Sequence, residues 1–293
     1  MTSLRLRMLE DMQIRNLAVN TQESYVQQVS LFARYFNQST EQLGPEQIRT
    51  YQLYLTKEKK LATSSILMAI SALRFLYKIT LKKDWTFEDI IPAPKKPQTL
   101  PVVLSPEEVV QFLACVASRK HRTILTACYG AGLRVSEAIA LTPPAVDSKR
   151  MVLRVEQGKG MKDRYVMLSP KLLEILRAWW RLERPEHWLF PSDVPGQHIS
   201  SGAVERECQK AHGICKICKP ITPHSLRHAF AVHLLEQGTN VRTIQLLLGH
   251  RSLATTAKYL RIATSKVCST TSPLDLLPHP APLEVKPTPP PLF

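Results

Sequence analysis

The sequence predicts a mainly α-helical protein of two domains, with a small β-hairpin or sheet in the second domain that makes it an α+β arrangement. Three observations carry this. At 293 residues the chain exceeds the ~100–150 residues of a common domain and is long enough to bury two cores. Apolar residues recur at steps of three and four along most of it and give way to alternation in one stretch. A run punctuated by proline, IPAPKKPQTLPV at 91–102, divides the chain where a helix cannot continue.

Residues 1–90 read as a bundle of about four helices. Asn20 with Glu23 has the spacing of a capping box, and Tyr25, Val29, Phe32 and Phe36 then mark one face of a helix. Tyr51, Tyr54 and Leu55 mark another, and Ile66, Ile70, Leu73 and Tyr77 a further one. After the linker at 91–102, Ser105, Pro106 and Glu108 supply the N-cap, first-turn proline and capping-box acid that open a second domain over 103–271. Within it Met151, Leu153 and Val155 alternate with Val152, Arg154 and Glu156. GKGMKD then supplies turn residues, and Tyr165, Val166 and Leu168 resume an extended run, which predicts a hairpin with Lys159 near its tip. Residues 272–293 hold eight of the 22 prolines and little to bury, the composition of a disordered tail.

Charge narrows the partner. The formal net charge is +15, with 12 Lys/Arg against 9 Asp/Glu in residues 1–90 and 24 against 13 in residues 103–271. A polyanion is the implied partner, nucleic acid first and an acidic membrane surface second. No apolar run approaches the ~18–20 residues of a membrane span, and Arg5, Arg7, Glu10 and Asp11 stand where a signal peptide needs apolar residues. The expected location is therefore cytoplasmic. Six cysteines spread over so long a chain form no disulfide framework and suit a reducing compartment.

Four segments concentrate the unusual polar residues. In AGLRVSEAIAL, Arg134 follows a glycine pair at a helix start, where backbone N–H groups and a guanidinium can face one phosphate. In TPHSLRHAF, Thr222 and Pro223 form cap and first turn, placing His224 and Arg227 one turn apart on one face. In LLLGHRS, Gly249 stops a helix, leaving His250 on a turn before Ser252 caps the next. Tyr259, in TTAKYLRI, lies on that next helix; the break at Gly249 lets it share a side with His250, which nine residues of unbroken helix would prevent.

Singly these residues are ordinary. Together, Arg134 in GLRVSEA, Lys159 in GKGMKDR, His224 and Arg227 in HSLRH, His250 in LLGH and Tyr259 nine residues later resemble the signature of the tyrosine recombinase/phage integrase family in order and spacing. The resemblance runs from about Ser105 to Arg261 and extends more loosely to residues 1–90, which look like the family's helical core-binding (SAM-like) DNA-binding domain. It implies a two-domain clamp on double-stranded DNA, a dimer on each site and a tetramer in the synapse. The activity it implies is site-specific recombination without metal, ATP or other cofactor.

The resemblance also implies roles. Arg134 and Arg227, forks of fixed donors, would hold the nonbridging oxygens of a phosphodiester and stabilise the charge that builds on phosphorus. Tyr259, with an ordinary phenol pKa of about 10, needs a cationic setting and a proton acceptor to serve as nucleophile. His224 is the expected acceptor. Lys159 would protonate the departing 5′-oxygen, and His250 would hydrogen-bond the phosphate. Glu137, one turn after Arg134, either orients a basic neighbour or is a solvated helix acid.

Other signals are set aside. Cys208, His212, Cys215 and Cys218 form C-x3-H-x2-C-x2-C, soft ligands for zinc, but they span only eleven residues, tighter than the usual paired arrangement. Cys115 and Cys128 fall in apolar helical stretches as small hydrophobes. His228 and His233 read as helix packing, and Trp179, Trp180 and Trp188 as the seal of an amphipathic helix end. Two other functions share parts of the pattern: a type IB topoisomerase, which religates the strand it cuts, and a DNA-binding regulator that does not cleave.

Overall fold

The computed structural model describes residues 2–86, 92–94, 102–158 and 162–261. The chain divides into two units, Met1–Thr99 and Leu100–Phe293. The linker at 91–102 is described only at 92–94 and 102, and the tail at 272–293 lies outside the described residues.

Among the described residues of the first unit, four α-helices are formed: α1 (Ser3–Ile14), α2 (Val19–Phe36), α3 (Pro45–Leu53) and α4 (Thr63–Phe75). Single π-helical turns, Tyr54–Glu58 and Leu76–Thr80, continue α3 and α4. Met8, Met12, Phe32, Ile48, Leu73, Leu76 and Tyr77 form the buried core, and the Tyr77 hydroxyl donates to the Thr40 carbonyl at 2.9 Å. The helical spacing read over Tyr25–Phe36 thus belongs to α2, with Phe32 at its inner face.

The start of α2 differs from the expected capping box at Asn20 and Glu23. The helix begins at Val19 behind Ala18, which makes no side-chain cap bond. Asn16 takes the left-handed conformation (φ 52°) just after α1, and Leu17 packs onto the core. That inward turn sets the helix start before Asn20. The Leu17 carbonyl is taken by Gln22 Nε2 at 2.7 Å instead.

The second unit contains α5 (Pro106–Ala114), α6 (Arg119–Gly130), α7 (Val135–Ile139), α8 (Pro170–Glu183), α9 (Ser201–Cys215), α10 (Pro223–Glu236), α11 (Val241–Leu248) and α12 (Leu253–Ala257). Short 3₁₀ turns stand at Pro143–Ala145 and Lys258–Arg261. Between α7 and α8 lies a three-stranded antiparallel sheet in the order β1 (Val146–Asp147), β2 (Val152–Gly158), β3 (Lys162–Met167). The alternation read over 151–168 is therefore the β2–β3 hairpin; β1 adds a third strand, pairing Val146 with Leu153. Leu153, Val155, Val166 and Leu168 turn into the core, while Arg154 and Asp163 pair on the exposed face at 3.0 Å.

The caps that orient the site follow their sequence signals. At α5, Ser105 N–H donates to Glu108 Oε2 at 2.7 Å and Glu108 N–H to Ser105 Oγ at 3.2 Å, the reciprocal box. At α10, the Ser225 N–H donates to Thr222 Oγ1 at 3.1 Å, with Pro223 in the first turn. Gly249 ends α11 at φ 61°, and the Ala254 N–H donates to Ser252 Oγ at the start of α12.

Helix α10 runs through the centre of the unit. Leu226 and Ala229 join the main core of Phe112, Ile124, Leu133 and Trp179, whereas Phe230, Val232 and Leu235 join a second cluster with Ile244, Leu248 and Tyr259. The helix that carries His224, Arg227 and His228 is thereby held from both sides. Trp179 is buried and its indole donates to the Leu189 carbonyl at 2.7 Å, a packing role.

Candidate active site

Arg134 is the N-cap of α7, and its extended backbone (φ −70°, ψ 152°) aims the chain into the five-residue helix. Its backbone N–H donates to Glu137 Oε2 at 2.8 Å and its guanidinium to Glu137 Oε1 at 2.7 Å. Glu137 is not a solvated helix acid. It is buried, and Arg164 meets both its oxygens in a fork, at 2.9 and 2.8 Å. Arg227 approaches the same carboxylate at 3.4 Å. Burial pushes the Glu137 carboxyl up, but the Arg164 hydrogen bonds and the charges of Arg164 and Arg134 outweigh it and hold the group down at about 2. One carboxylate thus anchors three guanidinium groups.

Arg164 was not among the expected site residues, although it closes the GKGMKDR segment. It stands opposite Val155 across β2–β3, and cross-strand partners share a face, so it points inward with the buried Val155. Its Nε donates to the Leu247 carbonyl at 3.0 Å. Its chain neighbours, Asp163 and Tyr165, are exposed, and no local pattern singles out the arginine between them as inward-facing.

Arg227 differs from the expected phosphate fork. It is 1% exposed, its Nη1 donates to the Gly132 carbonyl at 2.6 Å, and its Nη2 donates to the Leu248 carbonyl at 2.5 Å. Burial and the nearby Arg134 charge lower its pKa to about 10, so it remains a cation at neutral pH. Arg227 therefore ties α10 to the Gly132 turn and to the end of α11. It acts on the site as a fixed buried charge.

Above this layer a cleft of about 350 Å³ opens, lined by Arg134, Ser136, Glu205, Gln209, Thr222 and His224 among others. Arg134 and His224 meet there from the first residues of two helices. Burial, then Arg227, Lys258 and Arg134, lowers the His224 pKa. The shift favours the neutral ring.

Tyr259 sits in the 3₁₀ turn after α12 and is 1% exposed. The histidine at its hydroxyl is His228, whose Nδ1 lies 2.6 Å from Tyr259 Oη. The expected acceptor, His224, instead lies one helical turn back with its ring edge-on to that of His228, centroids 4.2 Å apart. The signal that would have found His228 is its spacing: four residues after His224, it shares that residue's face of α10. His233, the other histidine read as packing, does pack, joining Tyr129 Oη at 2.9 Å and the Leu104 carbonyl at 3.0 Å.

His250 completes the group. Its Nδ1 lies 2.8 Å from Thr256 Oγ1, and its ring stacks near Tyr259 at 6.4 Å and 16°. Burial and the Arg227 and Arg134 charges lower its pKa to about 4. Burial raises the Tyr259 phenol to about 12, against the opposing pull of Arg227 and Arg134. The cationic setting is present, yet burial outweighs it. Lys159 lies outside the described residues.

The Cys/His cluster does not converge. Cys208 and Cys215 are buried, the Cys215 thiol turns to the His212 carbonyl at 3.3 Å, His212 Nε2 is 3.0 Å from the Ile217 carbonyl, and Cys218 is exposed. Among the described residues no group of three or more His, Cys, Asp or Glu side chains is arranged as metal ligands.

Comparison with known proteins gives a consistent picture. Residues 102–266 match the phage integrase family, and residues 4–87 match the phage integrase N-terminal SAM-like domain. A putative integrase/recombinase, y4qK of Sinorhizobium fredii, is 64% identical over 291 residues, covering 99% of this chain and 93% of that protein. A tyrosine recombinase of Pseudothermotoga lettingae is 34% identical over 261 residues, 86% of this chain and 90% of the relative. Among solved structures, a lambda integrase (75–356) dimer bound to a COC′ core site aligns with TM-score 0.72 at 19% identity, over 88% of this chain and 94% of that one, a likeness of fold. With a helical unit ahead of a catalytic unit that gathers Arg134, His224, Arg227, His250 and Tyr259, the chain belongs to the phage integrase family and is a tyrosine-type site-specific recombinase.

Proposed function

We propose that this recombinase cuts and rejoins double-stranded DNA at specific sites through a 3′-phosphotyrosyl intermediate, with Tyr259 as nucleophile. The observation that supports the reading is a connected cluster: Tyr259 contacts His228 and His250, His228 contacts His224, and His224 lines a cleft with Arg134, whose guanidinium is anchored on Glu137. The scissile phosphate lies at the mouth of that cleft, its nonbridging oxygens held by Arg134 and His224. Arg227 contributes its charge from beneath, where a guanidinium fixed by two carbonyls needs no reorganisation as charge develops.

The Tyr259 oxygen attacks phosphorus, the bond to the 5′-oxygen breaks, and Lys159 protonates that oxygen as it leaves. His250 hydrogen-bonds the phosphate. The energy of the broken phosphodiester is kept in the ester, so a 5′-hydroxyl of another strand can reverse the step without ATP, metal or other cofactor. A dimer on each site and a tetramer in the synapse place two such strands together; lambda integrase, similar in fold, has been seen as a dimer bound to a core site.

A nicked suicide duplex containing the site tests the reading. Cleavage releases a short 5′-hydroxyl fragment and leaves a covalent protein–DNA adduct that resists denaturation, and Tyr259→Phe forms none. An adduct of equal yield in Tyr259→Phe would refute the assignment. Relaxation of supercoiled plasmid lacking any site, with no strand exchange between sites, would point instead to topoisomerase action.

A further inference from the structure

A phenol raised to about 12 gives up its proton only to a group that is already in place, and the structure has one. His228 Nδ1 is 2.6 Å from Tyr259 Oη, a short O–H to nitrogen contact, in a setting that leaves Tyr259 only 1% exposed. Burial to that degree gives bulk solvent little access to the hydroxyl. For Nδ1 to accept, the imidazole carries its own hydrogen on Nε2. Burial, and then His224, Lys258, Arg227 and His250, lowers the His228 pKa to about 3, so the ring is neutral and its lone pair is unoccupied by a proton at pH 7.

His224 is placed for a different task. It lines the cleft beside Arg134, and its ring meets His228 edge-on at 4.2 Å. Two imidazoles this close repel one another when both are charged, so the pair favours dividing its work. A phosphate entering the cleft draws hydrogen bonds from Arg134 and His224, and its negative charge offsets the Lys258 and Arg227 charges that add to the effect of burial on His228.

We propose that His228 is the group that accepts the phenolic proton of Tyr259 as its oxygen bonds to phosphorus, while His224 serves the phosphate. This rests on Tyr259 being the nucleophile. As the Oη–P bond forms and the P–O5′ bond breaks, the Oη proton passes to His228 Nδ1, leaving an imidazolium, and the 5′-oxygen takes its proton from Lys159. In the reverse step His228 returns the proton to the tyrosine.

Single-turnover cleavage of the suicide duplex by His228→Asn is the test. The asparagine oxygen replaces Nδ1 as a hydrogen-bond acceptor but cannot take up a proton, so the contact survives and the chemistry does not. Cleavage falls by about 10²–10⁴-fold, with DNA binding and thermal unfolding close to those of the wild type. Placing a fluorinated tyrosine at 259, whose phenol is more acidic, then recovers much of the loss in His228→Asn. Cleavage that is unchanged or faster in His228→Asn, or a loss that the acidic phenol fails to recover, would overturn the proposal. Tyr259→Phe run alongside separates the two readings, since an adduct formed by that variant indicts the nucleophile rather than the acceptor.

Discussion

Glu137 carries the electrostatic balance of the site on one buried carboxylate. Arg134, Arg164 and Arg227 all converge on it, and removing its charge leaves three buried or half-buried cations facing one another. Glu137→Gln keeps the shape and loses the charge, and is expected to destabilise the protein by about 3–5 kcal/mol in chemical denaturation, as for other broken buried pairs. The linked pH effect has a definite sign. The carboxyl ordinarily titrates at 4.5 and is held at about 2 in the folded chain, so its contribution is complete above 4.5 and is lost as pH falls toward 2. That contribution is roughly 3 kcal/mol at 1.36 kcal/mol per unit. An acid titration of stability in Glu137→Gln should be flatter than the wild type across that window.

At this scale the sequence showed residue types and order more clearly than partners. Arg134 and His224 line one cleft, and His250 lies beside Tyr259. Arg227 and Glu137 are buried in a way no local pattern reports, because their partners lie up to 95 residues away. His228 looked like packing because its target, the Tyr259 hydroxyl, comes from an element 31 residues on.

The elements of the second unit are set by caps and glycines whose signals are local, which is why they were legible. Thr222 caps α10, the helix bearing His224, Arg227 and His228, and Thr222→Ala should cost about 1 kcal/mol of stability. Gly132 is held more tightly. Its φ is 63° and an added Cβ would meet the Phe230 ring at 2.4 Å, while its carbonyl accepts from Arg227. Gly132→Ala combines left-handed strain with overpacking and should lower stability by about 2–4 kcal/mol, read as a drop in the thermal midpoint. Gly249 is tight as well, since φ is 61° and the new atom would meet Arg164 Cδ at 2.9 Å, in a side chain that Glu137 and the Leu247 carbonyl hold in place. The start of α2 was the misplaced element, since Asn20 and Glu23 have the right spacing but tertiary packing of Leu17 decides where that helix begins. β1 escaped notice because two residues show no alternation.

Across the whole molecule, the first unit buries one hydrophobic cluster and the second unit two, so each unit buries its own helices. The net charge of +15 is spent on a polyanionic partner in this account. Binding to duplex DNA should therefore weaken about 10³–10⁵-fold between 50 and 200 mM salt if six to ten phosphates are contacted, measurable by fluorescence anisotropy. A salt-insensitive affinity would point to a partner other than the DNA backbone.

The central claim is that a named oxygen becomes covalently joined to DNA. Digesting the trapped adduct with trypsin and nuclease, and sequencing the modified peptide by mass spectrometry, locates that bond. The expected product is a nucleoside 3′-phosphate esterified to the phenolic oxygen of Tyr259, in the peptide that follows Lys258. A nucleotide on any other side chain, or an adduct joined through the 5′-phosphate, would contradict it.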